Sequence, residues 1–271
     1  VFVLVFKMGI AGVAIASILA QAISAVMVVM SLSAESMEYR FRFRQMRFEG
    51  DILSRTIRIG LPAGFQSIMY SLSNMLIQAS VNRFGTDTVA SWVVLGKVDG
   101  INWMILGALG IASMTFVGQN YGAGRLDRIQ KSLKLSLLIG VSISIVFGGA
   151  LLLFGWPLFG LFTSDDTVLA MSMQLLWYFA PFYWMFVPIE IISGALRGMG
   201  DTLIPTIITA TGICVFRVAW IYTVVPLHNS MFTVSLSYPI SWVLTAIAFA
   251  IYYMIARKKL IANAPKPRTA E

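Results

Sequence analysis

Seven apolar runs, each long enough to cross a lipid bilayer as a helix, restrict what this chain can fold into. They cover residues 8–32, 56–82, 88–115, 132–155, 168–194, 203–225 and 231–256. A helix crossing about 30 Å of hydrocarbon needs roughly 20 apolar residues, and every run reaches that length. Strands of a membrane barrel would be half as long and would alternate polar with apolar residues, a pattern the sequence lacks. The expected fold class is an all-α polytopic membrane protein.

Composition narrows the function. Of 271 residues, 58% are apolar and 12% are charged, whereas a soluble domain carries about twice that charged fraction. A soluble enzyme is therefore excluded. The formal charge of +8 does not point to nucleic acid, because the basic residues fill short gaps between apolar runs, where they orient helices in a membrane. The single cysteine, Cys214, precludes an internal disulfide, and its setting (TGICVF) reads as helix packing. His228, in PLHNS, reads as a loop residue and cannot hold a metal alone. No HExxH, phosphate loop or acid/base carboxylate pair is present, so neither an enzyme nor a resident cofactor or metal is expected. No repeated filter-like segment points to a channel.

Charge also orients the spans. Arg40, Arg42, Arg44, Arg47, Arg55 and Arg58 fall between the first two runs, and Arg125, Arg128, Lys131 and Lys134 follow the third. Arg197 follows the fifth, and Arg257, Lys258, Lys259, Lys266 and Arg268 follow the last. The opposite loops hold Arg83, Asp87, Asp165, Asp166 and PLHNS. Because positive loops stay inside, residues 33–55, 117–131, 197–202 and the tail are expected in the cytoplasm, with the protein in the cell (cytoplasmic) membrane. The start VFVLVFKMG has no initiator methionine or signal-peptide pattern, so the chain is expected to be part of a longer one. The expected organisation is the end of one lobe (1–34), a basic cytoplasmic linker (35–54), a six-helix lobe (55–257) and a cytoplasmic tail (258–271).

Four ionisable residues interrupt the apolar runs: Lys97 and Asp99 in VVLGKVDGINWM, Glu190 in WMFVPIEIISGALRG and Arg217 in GICVFRVAW. Each costs roughly 2.5–3.5 kcal/mol at a helix centre on insertion scales, so each needs a cavity or a partner. Lys97 and Asp99 stand about 200° apart around a helix and cannot pair with each other. Counted at about 1.5 Å per residue, both share the outer half of the bilayer with Arg217, and Asn74, Gln78 and Asn102 reach the same level. Asp99 is the expected coupling carboxylate, with Lys97 and Arg217 competing for it. Glu190 counts out near the cytoplasmic end and is expected to pair with Arg197. Around Pro181 and Pro188 a broken helix would turn Tyr178, Tyr183 and Trp184 toward a cavity, and Tyr70 is a further candidate; organic cations bind such ring faces. Gly107, Gly110, Ser113, Gly194 and Gly198 read as close helix contacts. Pro62 and Pro205 read as kinks inside helices.

Three glycine-rich segments fall at expected cytoplasmic helix ends or starts: GLPAG at 60–64, GQNYGAGRLDRI at 118–129 and ALRGMGDTLIPT at 195–206. In this order they resemble the multidrug and toxic compound extrusion (MATE) family. GLPAGFQSIMYSLSNMLIQASVNRFG resembles that family's seventh helix, GQNYGAG the loop after its eighth, and ALRGMGDTLIPT the junction of its tenth and eleventh. MGIAGVAIASILAQAISAVMVVM resembles the sixth. The resemblance implies a twelve-helix protein of two six-helix lobes around a central cavity. It implies export of amphipathic, often cationic compounds in exchange for Na+ or H+, with the N-terminal lobe supplied by the rest of the same chain. The sequence departs from the family in having no acidic residue from Ile57 to Val81. An alternative in the same superfamily is a flippase for lipid-linked saccharides or polyisoprenoid carriers, which would need a basic cavity built from Lys97 and Arg217.

Overall fold

A computed structural model of the chain describes residues 2, 5–33, 42 and 47–262. Arg40 and Arg44 of the expected linker, and Lys266 and Arg268 of the expected tail, lie outside the described residues. The helices are α1 (Gly9–Ser33), α2 (Gly50–Val81), α3 (Thr86–Gly122), α4 (Leu126–Gly160), α5 (Asp166–Phe179), α6 (Val187–Gly198), α7 (Leu203–Thr209), α8 (Phe216–Thr223) and α9 (Met231–Ala262). No strand occurs among the described residues. The chain forms two compact units, Val1–Thr56 and Ile57–Glu271. In the first, α1 buries only Gly12.

Among the described residues, six helical stretches are long and apolar enough to cross a membrane: α1, α3, α4, Asp166–Gly198, Leu203–Thr223 and Met231–Lys258. The protein is thus an all-α, multi-pass membrane protein. The remaining expected span, 56–82, lies within the 32-residue helix α2, which does not reach the apolar standard of the others. Its sequence explains why: Gln66, Ser67, Ser71, Ser73, Asn74, Gln78 and Ser80 interrupt it. Gln66, Ser73, Ile77, Ser80 and Val81 are buried, a stripe at helical spacing that turns small polar groups inward.

Most helices run beyond the apolar runs that announced them. GLPAG therefore lies inside α2 and not at its start, because the helix begins at Gly50. Pro62 is inside α2. Pro205 is only the third residue of α7, where backbone N–H groups need no helical partner, so it starts a helix and does not kink one. Local signals close the turns. Asp165 caps α5 by accepting from Thr167 N at 2.8 Å and Val168 N at 3.2 Å. Gly85 (φ 97°) and Gly200 (φ 90°) take the left-handed conformation where α3 begins and just after α6 ends.

Two spans are broken. A 3₁₀ segment, Ala180–Met185, separates α5 from α6, with Pro181 in its first turn and Pro188 in the first turn of α6. Between α7 and α8 the backbone opens into a π-helical turn, Ala210–Val215.

The second unit is organised around α3, which packs on α4, α5 and α6. Against α5, Ser91 Oγ donates to Val168 O at 3.2 Å and Ser172 Oγ to Ser91 O at 3.4 Å. Against α6 the contact is backbone on backbone. A Cβ on Gly194 would overlap Gly110 O, and one on Gly198 would overlap Met114 O. Ser113 Oγ donates to Ile191 O at 3.1 Å on the same seam. Small residues let membrane helices approach this closely. Gly107 is the exception among the expected small-residue contacts, since a Cβ there would meet nothing.

Candidate functional site

The α3 face beside the α6 seam opens into a cavity of about 570 Å³. On α2, Tyr70, Asn74 and Gln78 stand one turn apart and project to one side. On α3, Trp92, Gly96, Asp99, Trp103 and Gly107 repeat at steps of three or four and line the same space. Phe179 and Phe186 enter from the two sides of the 3₁₀ break, Tyr238 and Trp242 from α9, Glu190 from α6 and Arg217 from α8. Two carboxylates and one guanidinium thus share an aromatic-walled hollow.

Asp99 is held by neutral donors. Trp103 Nε1, one turn along α3, donates to Asp99 Oδ2 at 2.8 Å, and Trp103 is fixed edge-on against Phe186, with ring centroids 4.9 Å apart. The hydroxyl of the fully buried Tyr183 faces the same carboxylate as a second hydrogen-bond partner. A carboxylate held by neutral donors, with lone pairs to spare, is suited to accept a proton or to join a cation's coordination sphere.

Glu190 lies in the first turn of α6, a favourable place for a negative charge. Its Oε2 faces Gly110 of α3, where a Cβ would stand 2.8 Å away. The expected Glu190–Arg197 pair does not form among the described residues: Arg197 Nη2 donates instead to Ser193 Oγ at 3.0 Å. The physical reason is length. The span runs on to Gly198, so Glu190 sits two turns inside the helix end, at the cavity.

Arg217 is almost fully enclosed, its Nε donating to Ser241 Oγ at 3.0 Å and its guanidinium carbon 3.8 Å from the Tyr238 ring centroid. Lys97 does not join this group. It is exposed on α3 and absent from the cavity wall, as the angle of about 200° from Asp99 requires. Asn102 is also absent from the wall: it is 1% exposed, packed into the bundle with Nδ2 unpaired.

Of the aromatic candidates, only Tyr70 lines the cavity. Tyr178 stacks on Phe232 at 4.9 Å and accepts from Gln174 Nε2 at 2.8 Å beside a smaller pocket. Tyr183 is buried behind Asp99, and Trp184 is 39% exposed on the outside. The break tightens into a 3₁₀ turn, which repeats every three residues, so the rings that reach inward are Phe179 and Phe186 on its flanks. Tyr238 and Trp242 were missed. Their signal lies in TVSLSYPISW, where Val234, Tyr238, Ser241 and Trp242 recur at helical spacing on a face that also carries buried serines. At the far end of α9, the Tyr252 hydroxyl donates to Asp201 Oδ2 in the turn after α6.

A family model described as MatE matches residues 62–223. The chain is 26% identical over 226 residues to the probable multidrug resistance protein YoeA of Bacillus subtilis (strain 168), covering 80% of this chain and 47% of that protein. It is 26% identical over 262 residues to the probable multidrug resistance protein YpnP of the same strain, covering 95% and 57%. With the probable multidrug resistance protein NorM of Thermotoga maritima the identity is 23% over 211 residues, covering 78% and 45%. The chain thus spans about half the length of the curated relatives it matches. Among solved structures, the outward-facing conformation of a multidrug resistance MATE family transporter of the MOP superfamily matches with a TM-score of 0.81 at 17% identity, over 96% of this chain and 58% of that one. A MOP superfamily transporter from Pyrococcus furiosus, for which reverse polarity of the binding pocket suggests a different function, matches with a TM-score of 0.86 at 16% identity, over 96% and 59%. At these identities the likeness is one of fold.

Proposed function

This chain belongs to the MatE family, and on that premise we propose that it forms part of a secondary antiporter. The antiporter exports amphipathic, often cationic compounds in exchange for Na+ or H+ by alternating access. The observation that carries this reading is the single cavity in which Asp99, Glu190 and Arg217 meet aromatic ring faces. Ring faces attract organic cations by about 0.5–2 kcal/mol each, and two carboxylates against one guanidinium give the hollow room for a further positive charge. Antiport requires that coupling ion and cargo favour different states of one site, and a carboxylate held only by neutral donors serves either ion. The names of the relatives support an efflux role.

In this reading the described helices work with an N-terminal lobe of the same chain, in the cell membrane, with the basic loops and C-terminus in the cytoplasm. No resident cofactor is required, since the coupling ion is cargo. The flippase alternative is not adopted, because among the described residues Arg217 is the one basic residue on the cavity wall, too little to hold lipid-linked phosphates. The test is ethidium efflux from vesicles containing the full-length protein, with Na+ and H+ gradients imposed separately. One gradient should drive export, and Asp99→Asn should abolish it while the protein still inserts. Export that ignores both gradients, or survives Asp99→Asn together with Glu190→Gln, refutes the proposal.

A further inference from the structure

Arg217 is left unusually open for a buried cation. It is 4% exposed, yet no carboxylate pairs with it among the described residues, where Ser241 Oγ and the face of Tyr238 hold it from behind. A guanidinium carries five N–H donors. Ser241 takes one, and neither Nη1 nor Nη2 has a hydrogen-bond partner among the described residues, although the group lines the cavity. A buried charge without a counter-charge is costly, and a planar fork of free donors matches the two oxygens of a carboxylate. The acidic residues of the cavity do not fill that role. Asp99 is engaged by Trp103 on α3, and Glu190 rests against Gly110.

We propose that the Arg217 fork is a subsite for an acidic group on the cargo. The cavity then favours aromatic molecules that carry both a cationic and a carboxylate end over plain cations with the same rings. The cationic end faces Asp99 and Glu190, and the carboxylate takes the open Nη donors. This rests on the efflux reading for its setting, but binding can be measured without transport.

The experiment is equilibrium binding of two dyes to the purified full-length protein, read by fluorescence anisotropy. Rhodamine B has a free carboxylate, and its ethyl ester has the same cationic ring system without the acid. The native protein should bind rhodamine B about tenfold or more tightly than the ester, the scale of one charge-assisted hydrogen-bonded pair. Arg217→Gln should remove that preference without weakening ester binding, with an unchanged thermal midpoint reporting an intact fold. Arg217→Lys keeps the charge without the fork and should restore part of it. Equal affinity of the native protein for both dyes overturns the proposal, as does equal loss of both in the Gln and Lys variants. Export of the dyes from liposomes is scored separately: selective binding without export retains the subsite and refutes the antiporter.

Discussion

Replacing Gly194 by alanine tests the seam that positions both carboxylates. The added methyl would overlap Gly110 O and stand 3.2 Å from Gly110 C, where ordinary Cβ contacts begin at 3.4 Å. Backbone cannot rotate aside as a long side chain can, so α6 must retreat from α3 by roughly 1 Å, an overpacking that costs about 1–3 kcal/mol. Helix propensity offsets up to about 1 kcal/mol of this. Gly107→Ala is the matched control: it makes the same chemical change on α3, where the new methyl meets nothing, and should be neutral or slightly stabilising. The two variants should therefore differ by about 2 kcal/mol, roughly 4–8 °C in midpoint for a chain of this size. Thermal unfolding in detergent micelles, followed by loss of the monodisperse chromatographic peak, measures it. Glu190 precedes Gly194 by one turn, so dye export should fall in Gly194→Ala as well. If the two variants melt together, the seam is not tight and the reasoning fails.

Three other outcomes are expected. Trp103→Phe removes the donor to Asp99 Oδ2 and, at about 1.5–3 kcal/mol for a hydrogen bond to a charged group, should slow ion-coupled export at least tenfold in vesicle assays; unchanged export would show that Asp99 needs no positioning. Tyr252→Phe removes the hydroxyl that reaches Asp201 and should cost about 1 kcal/mol in thermal stability, with dye affinity unaltered; an unchanged melting midpoint would count against the contact. Asp127→Cys and Asp165→Cys should react with an impermeant maleimide from opposite sides of the membrane, and labelling from the same side would overturn the topology.

The spans were legible because apolar runs of this length have few other fates. α2 was legible as a helix, while its polar face was the clue that it lines a hollow. Three of the four intramembrane charges were also readable, since Asp99, Glu190 and Arg217 find the shelter they need in the cavity, while Lys97 is exposed. What failed was direction. Lys97 and Asp99 are near in sequence yet face apart, and only Asp99 reaches the cavity. Depth counting placed Glu190 near a helix end and gave no sign that it lines the cavity, two turns before Gly198. Around Pro181 the choice among neighbouring rings depended on the pitch of a turn that composition does not encode. Tyr238 and Trp242 face inward because Ser235, Ser237 and Ser241 let α9 approach its neighbours, a signal spread over residues of no obvious chemistry.

The widened turn at Ala210–Val215 has a bearing on Arg217. Thr202, Thr206, Ala210 and Cys214 are all buried, so inward positions recur every four residues, not every 3.6. An unbroken α-helix would drift about 40° per step, or about 120° over the three steps, away from the bundle. One surplus residue in a wide turn absorbs about 100° of that error. Deleting a single residue such as Thr211 removes the surplus together with the wide turn and should leave the guanidinium facing the hollow, whereas forcing the intact sequence into an unbroken α-helix would swing everything beyond the turn about 100° out of phase.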